Sequence, residues 1–147
     1  MNTPCRSPGT RFRFEKLEIW HAARTLNVEI YRMTRKFPAA ENYGLVSQMR
    51  RASVSISANI AEGAGRNSDR DFAHFLEQAY ASAMELASHV FLAADLGFVV
   101  SGSVEAVLQR INATAMSIAA LNRSLKIKAS KVELARPSTF DVRPSTA

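Results

Sequence analysis

The chain has 147 residues, a hydrophobic share of 47% and a formal net charge of +6, which suits one domain with a real core and polyanionic partners. No apolar run reaches the roughly 18 residues that a membrane span needs; the longest candidate, residues 93–100, is broken by Asp95 and Gly97. Arg6, Arg11 and Arg13 precede no apolar stretch, so no secretion signal is read, and a single cysteine, Cys5, excludes an intrachain disulfide and fits a reducing, cytoplasmic setting.

Four helical patterns follow, and no strand. The first helix is expected from Phe14 or Leu17 to Lys36, with Ile19, Ala23, Leu26, Ile30, Met33 and Phe37 recurring at steps of three and four. Phe37-Pro38 ends it, because the residue before a proline is pushed out of the helical region. The second runs from Asn42 or Tyr43 to Gly63–Gly65, where a glycine is expected to supply a left-handed cap. Its seam is Leu45, Met49, Ala52, Ile56 and Ile60. Ser68-Asp69-Arg70-Asp71 reads as an N-cap with an acid three residues on, opening a third helix that ends near Leu96 and Gly97.

That third helix carries two apolar seams. One is Phe72, Leu76, Ala79, Ala83, Leu86, Val90 and Ala93; the other includes Tyr80, Met84, Phe91 and Phe98. Together they make an arc of about 180°, wider than the stripe of about 100° of a surface helix. Tyr80, Met84, Phe91 and Phe98 are therefore expected at an interface between subunits. The fourth helix begins at Ser101 or Ser103, with Val104, Leu108, Ile111, Ala115, Ile118, Leu121 and Leu125 inside. Short connections between long helices predict an antiparallel, up-down-up-down four-helix bundle over residues 14–127. It lies between basic, disordered ends at 1–13 and 128–147.

On the second helix, Gln48, Arg51, Ser55, Asn59 and Glu62 align on one face. With Ser82 and Glu85 opposite, they predict a polar ladder between helices, with an Arg51–Glu85 ion pair that fixes register more than it adds stability.

The charge excess is placed unevenly. Residues 14–125 hold 11 basic and 11 acidic side chains, so the surplus falls at the two ends. Within the bundle, Arg24, Arg32, Arg35, Lys36, Arg50, Arg66 and Arg70 are the candidates for nucleic-acid contact. No zinc finger, helix-turn-helix or RNA-recognition aromatic motif accompanies them.

Catalytic and cofactor constellations are thin. A di-iron bundle needs Glu-x-x-His on each of two helices, and only Glu18-x-x-His21 has that spacing. Cys5 has no fixed base beside it, and Gly63-Ala64-Gly65-Arg66 follows a helix and lacks a phosphate loop's Lys-Ser/Thr ending. No cofactor, metal or enzymatic activity is expected.

Several segments are familiar together: Leu17-x-Ile19-Trp20, Phe37-Pro38, Tyr43-Gly44-Leu45, Arg50-Arg51-Ala52, Asn59-Ile60-Ala61-Glu62-Gly63, Phe72-x-x-Phe75-Leu76 and Leu96-Gly97-Phe98. Over about residues 14–122 the chain resembles the bacterial four-helix-bundle family of 23S rRNA-intervening-sequence proteins. It is also similar in architecture to the accessory proteins of diversity-generating retroelements. The resemblance implies a ring-shaped homo-oligomer, a homopentamer, and carries over no established activity. Ala81-Ser82 departs from the family's more frequent Gly-Ser. Two readings follow: an oligomer that binds RNA or DNA through repeated basic clusters, and a protein-interaction scaffold with no nucleic-acid role.

Overall fold

The computed structural model describes residues 11–135. Four helices carry the fold: α1 (Glu18–Thr34), α2 (Leu45–Ala64), α3 (Asp69–Asp95) and α4 (Ser101–Leu134). Short 3-10 turns at Arg13–Lys16 and Ala39–Glu41 flank α1, and no strand occurs among the described residues. α1 touches α2 and α4, and α3 touches α2 and α4, while the diagonal pairs stay apart. With short connections this is an antiparallel up-down-up-down bundle.

The predicted seams become the core. Leu26, Ile30, Met49, Ile56, Ile60, Leu76, Leu86, Val90, Ile111 and Ile118 are all removed from water, each such aliphatic side chain contributing roughly 1.5–3 kcal/mol of transfer free energy. α3 packs on α2 and α4 with alanines at 79, 83 and 93 fully buried, so its backbone lies close to both neighbours.

Local chemistry sets the helix ends. Ser68 Oγ accepts from the Asp71 backbone N–H at 3.0 Å, the cap its sequence predicts. Glu41 Oε2 accepts from the Leu45 N–H at 3.1 Å, and this tie starts α2 at Leu45 rather than at Asn42 or Tyr43. Gly65 closes α2 with φ −80, so the expected left-handed cap is not there. It is at Gly97, with φ 74. Gly97 N–H donates to Ala94 O and Phe98 N–H to Ala93 O, both at 2.9 Å. This is the paired-bond motif that turns the chain back on a helix end.

That motif corrects one expectation. It folds Phe98 inward onto Phe37, with ring centroids 5.5 Å apart, so Phe98 is half-buried within its own chain and does not join the outward patch. A second correction concerns α4. The helix runs through Leu134, and residues 128–134 belong to it rather than to a disordered tail. Lys128 Nζ lies 3.0 Å from Asp69 Oδ2 at the first residue of α3, which ties the extension to the bundle. Residues 1–10 and 136–147 lie outside the described residues.

Gly63 explains how α2 and α3 meet at their shared turn. A Cβ there would stand 2.7 Å from Phe72 Cδ2 and 2.8 Å from Phe75 Cβ. Only a glycine lets the end of α2 sit this close to the first turns of α3.

Candidate nucleic-acid interface

The α2–α3 seam holds part of the expected polar ladder. Asn59 Nδ2 donates to Ser55 Oγ at 3.0 Å and to Ser55 O at 2.9 Å. Ser55 Oγ and Ser82 Oγ are 2.9 Å apart, and Ser82 Oγ donates to Gln78 O at 3.0 Å. Since the Ser82 hydrogen is directed to Gln78, Ser55 must donate to Ser82. The chain Asn59–Ser55–Ser82–Gln78 is thus satisfied in one direction, which suits a half-buried polar strip. Glu62 pairs instead with Arg66, just past the end of its own helix, at 2.5 Å.

The Arg51–Glu85 pair is not formed. Both residues line one groove, yet Glu85 Oε1 faces His89 Nε2 at 3.5 Å, one turn along α3. Arg51 and Glu85 are exposed, so water competes for both and no desolvated pocket forces them together. Gln48 is likewise exposed, outside the hydrogen-bonded chain.

The same groove is the centre of a basic surface. It has a volume of about 610 Å³ and is lined by Tyr31 of α1, by Asn42, by Ser47, Arg50, Arg51 and Val54 of α2, and by Glu85 of α3. Arg50 Nε donates to Thr34 Oγ1 at 2.9 Å, and its Cζ stands 4.7 Å from the centre of the Tyr31 ring. A second depression on the other side of Tyr31 is lined by Val28, Arg32 and Arg35. Arg24 lies two turns before Tyr31 on the same side of α1, its Cζ 5.6 Å from the Trp20 ring centre. Four of the predicted basic residues, Arg24, Arg32, Arg35 and Arg50, therefore share the α1–α2 side, and Arg51 joins them.

Residues 19–61 contain six basic side chains and two acidic ones. Both acids are committed. Glu29 pairs with Arg110 of α4, and Glu41 caps α2. Among the described residues no carboxylate forms an ion pair with Arg24, Arg32, Arg35, Arg50 or Arg51. α3 has the opposite balance, with five acids against Arg70. Near-neutrality along residues 14–125 thus conceals a polarity across the bundle, a feature visible only once the helices are placed. The i, i+3, i+4 spacing of Tyr31, Thr34 and Arg35 was the one local signal that this side of α1 gathers polar groups.

The other basic candidates do not join this surface. Arg66 sits at the far end of α2, bonded to Glu62, its Cζ 4.6 Å from the Phe75 ring centre. Arg70 borders a separate depression with His74, Glu77, Lys126 and Glu133. Lys36 lies just past the end of α1 and is exposed.

Tyr80, Met84 and Phe91 leave 38%, 40% and 57% of their surface in water, as an outward stripe on α3. Leu92 and Leu96 are also exposed. Among the described residues, no group of three or more His, Cys, Asp or Glu side chains is placed to hold a metal ion, and no helix is long and apolar enough to cross a membrane.

Comparison with known proteins agrees with this architecture. The family model described as 23S rRNA-intervening sequence protein matches residues 15–120. No curated protein sequence matches the chain. Among solved structures, the chain is similar to a crystal structure of a protein of unknown function from the S23 ribosomal protein family of Bacteroides thetaiotaomicron VPI-5482. The TM-score is 0.67 at 18% identity, over 71% of this chain and 95% of that one. At that identity the likeness is one of fold.

Proposed function

We propose that this chain, which belongs to the family of 23S rRNA-intervening sequence proteins, is a non-enzymatic, self-associating helical bundle of the cytoplasm that binds RNA or another nucleic acid across its α1–α2 side. The observation that carries this reading is the segregation of charge. Five arginines lie on one side of the bundle with no carboxylate paired to them among the described residues, and the acids nearby are committed elsewhere. Guanidinium groups that reach solvent around a tyrosine without a carboxylate partner are what a phosphate backbone needs for counterion release and fork-like hydrogen bonding.

Self-association is supported by the exposed stripe of Tyr80, Met84 and Phe91, too apolar to favour water contact. In the ring of five subunits that the family resemblance implies, the α1–α2 surface would recur once per subunit. A weak patch then gains from effective concentration along one polymer.

The test is binding to a labelled single-stranded RNA measured at two salt concentrations. If about four phosphates are neutralised, affinity should fall roughly 50-fold between about 50 and 200 mM salt. The stripe on α3 favours a second reading, a protein-interaction scaffold. Absence of any polyanion binding by a protein that still sediments as an assembly would select it.

A further inference from the structure

We propose that the groove between α1 and α2 is a phosphate-group site, with the Arg50 guanidinium as its clamp. The chemistry stands on the groove itself; it rests on the nucleic-acid reading only for the polymer that carries the phosphate.

Arg50 differs from the other arginines in how it is held. Thr34 is buried, and its hydroxyl donates to the Ile30 carbonyl at 2.8 Å. Its oxygen is therefore free to accept the Arg50 Nε–H at 2.9 Å. The Tyr31 ring covers one face of the guanidinium at 4.7 Å. Both restraints are neutral, so they fix orientation without spending the charge. Arg66 and Arg110 are oriented by Glu62 and Glu29, which do spend it.

With Nε occupied and one face stacked, the two terminal nitrogens of Arg50 remain as an outward fork of N–H donors. Arg51 lines the same groove, and Asn42 and Ser47 add neutral polar groups to its walls. A carboxylate presents its oxygens in one plane, whereas a phosphate group presents them tetrahedrally, so two arginines can approach it from different directions and this donor set suits a phosphate. Glu85 on the far wall repels anion there and confines the phosphate to the Arg50 end. A volume of about 610 Å³ accommodates a nucleotide-sized group.

The discriminating variant is Arg50→Lys, which keeps the charge and loses the fork, the Thr34 bond and the planar stack. Binding to a single-stranded RNA oligonucleotide at fixed salt should weaken about tenfold for Arg50→Lys, and less than about twofold for Arg32→Lys, where charge is all that counts. In the wild-type protein the Arg50 Nε–Hε resonance should move on titration with the oligonucleotide. Movement with inorganic phosphate as well, at matched ionic strength, assigns the site to free phosphate groups too; movement with the oligonucleotide only assigns it to the polymer backbone.

Arg50→Lys binding as tightly as wild type, or an Arg50 resonance unmoved by either probe, overturns the clamp. Salt-dependent RNA binding could persist in that case, so the broader function would survive it. A shift with inorganic phosphate and no RNA binding would leave the clamp standing and remove the polymer. If Arg50→Lys does not fold, the wild-type resonance decides.

Discussion

On the side built from α3 and α4, two lysines meet carboxylates. Lys126 Nζ is 2.5 Å from Glu77 Oε1, and Lys128 Nζ is 3.0 Å from Asp69 Oδ2. On the side built from α1 and α2, arginines meet a threonine, a tyrosine, a tryptophan and water. Each side includes a helix with a basic excess, since α4 has five basic residues against two acids. What differs is where the facing acids are. α3 supplies them to α4, and α2 has none before Glu62. Net charge over a whole chain is therefore a poor guide to an electrostatic surface: the field that a polyanion meets is set by which charges lack a local partner.

The sharpest way to break this comparison is charge reversal on each side in turn. The triple variant Arg32→Glu, Arg35→Glu, Arg50→Glu should weaken RNA binding by about 100-fold or more at moderate salt. Lys126→Glu with Lys128→Glu changes net charge by four units rather than six, and should weaken it by less than about threefold, because those lysines are already neutralised. Fluorescence anisotropy on both variants decides. Equal losses per charge would show that total charge, not its placement, governs binding.

A stability lesion away from both surfaces sharpens the comparison from the other direction. Gly63→Ala forces a methyl against Phe72 and Phe75, and the Phe75 Cβ at 2.8 Å is too close to its backbone to swing aside. We expect a loss of about 1–3 kcal/mol in urea denaturation, with the RNA affinity of the folded protein unchanged. Loss of binding in step with stability would mean that the basic surface depends on this turn. A smaller effect is expected from Lys126→Ala with Lys128→Ala, about 0.5–2 kcal/mol for the two exposed pairs together. Arg32→Ala with Arg35→Ala should leave stability within about 0.5 kcal/mol, since neither has a carboxylate to lose.

The bundle was legible because the seams of all four helices keep a period near 3.6 with apolar residues at nearly every core position, and because Ser68, Pro38 and Gly97 punctuate them. Three features were not legible, each for a physical reason. The reach of α4 to Leu134 is accompanied by lysine–carboxylate ties to α3, and hydrophobic period carries no trace of those. The inward turn of Phe98 depends on a left-handed Gly97, whereas its spacing from Phe91 matched the outward stripe. The Arg51–Glu85 pairing failed because axial offset alone does not say whether an exposed carboxylate will turn to water or toward a nearer histidine. The basic surface was half legible. Arg24, Arg32, Arg35 and Arg50 were recognised as cations, but their separation from Arg66 and Arg70 is a property of helix placement, and Tyr31 and Thr34 gained their roles only as neighbours of Arg50.

The smallest expected effect concerns pH, and it separates the two sides without mutation. The hydrogen bond from Lys126 holds the Glu77 carboxyl below its ordinary value of 4.5; partial desolvation opposes it, and the charges of Lys126 and His74 add smaller effects in the lowering direction. A carboxyl with a lowered value in the folded state stabilises it fully above the ordinary value. That contribution is lost as pH falls through the lowered one. Glu77 is largely exposed, so the effect is screened and local. Hydrogen exchange of amides 126–134 should therefore quicken as pH drops below about 4.5, after correction for intrinsic rates, while amides of α1 and α2 around Thr34 and Arg50 hold their protection. In Glu77→Gln the α4 segment should exchange faster at neutral pH and lose most of that difference in acid. If wild-type α4 kept its protection through this range, or if the α1–α2 amides opened with it, the carboxylates would not be what distinguishes the closed side from the open one.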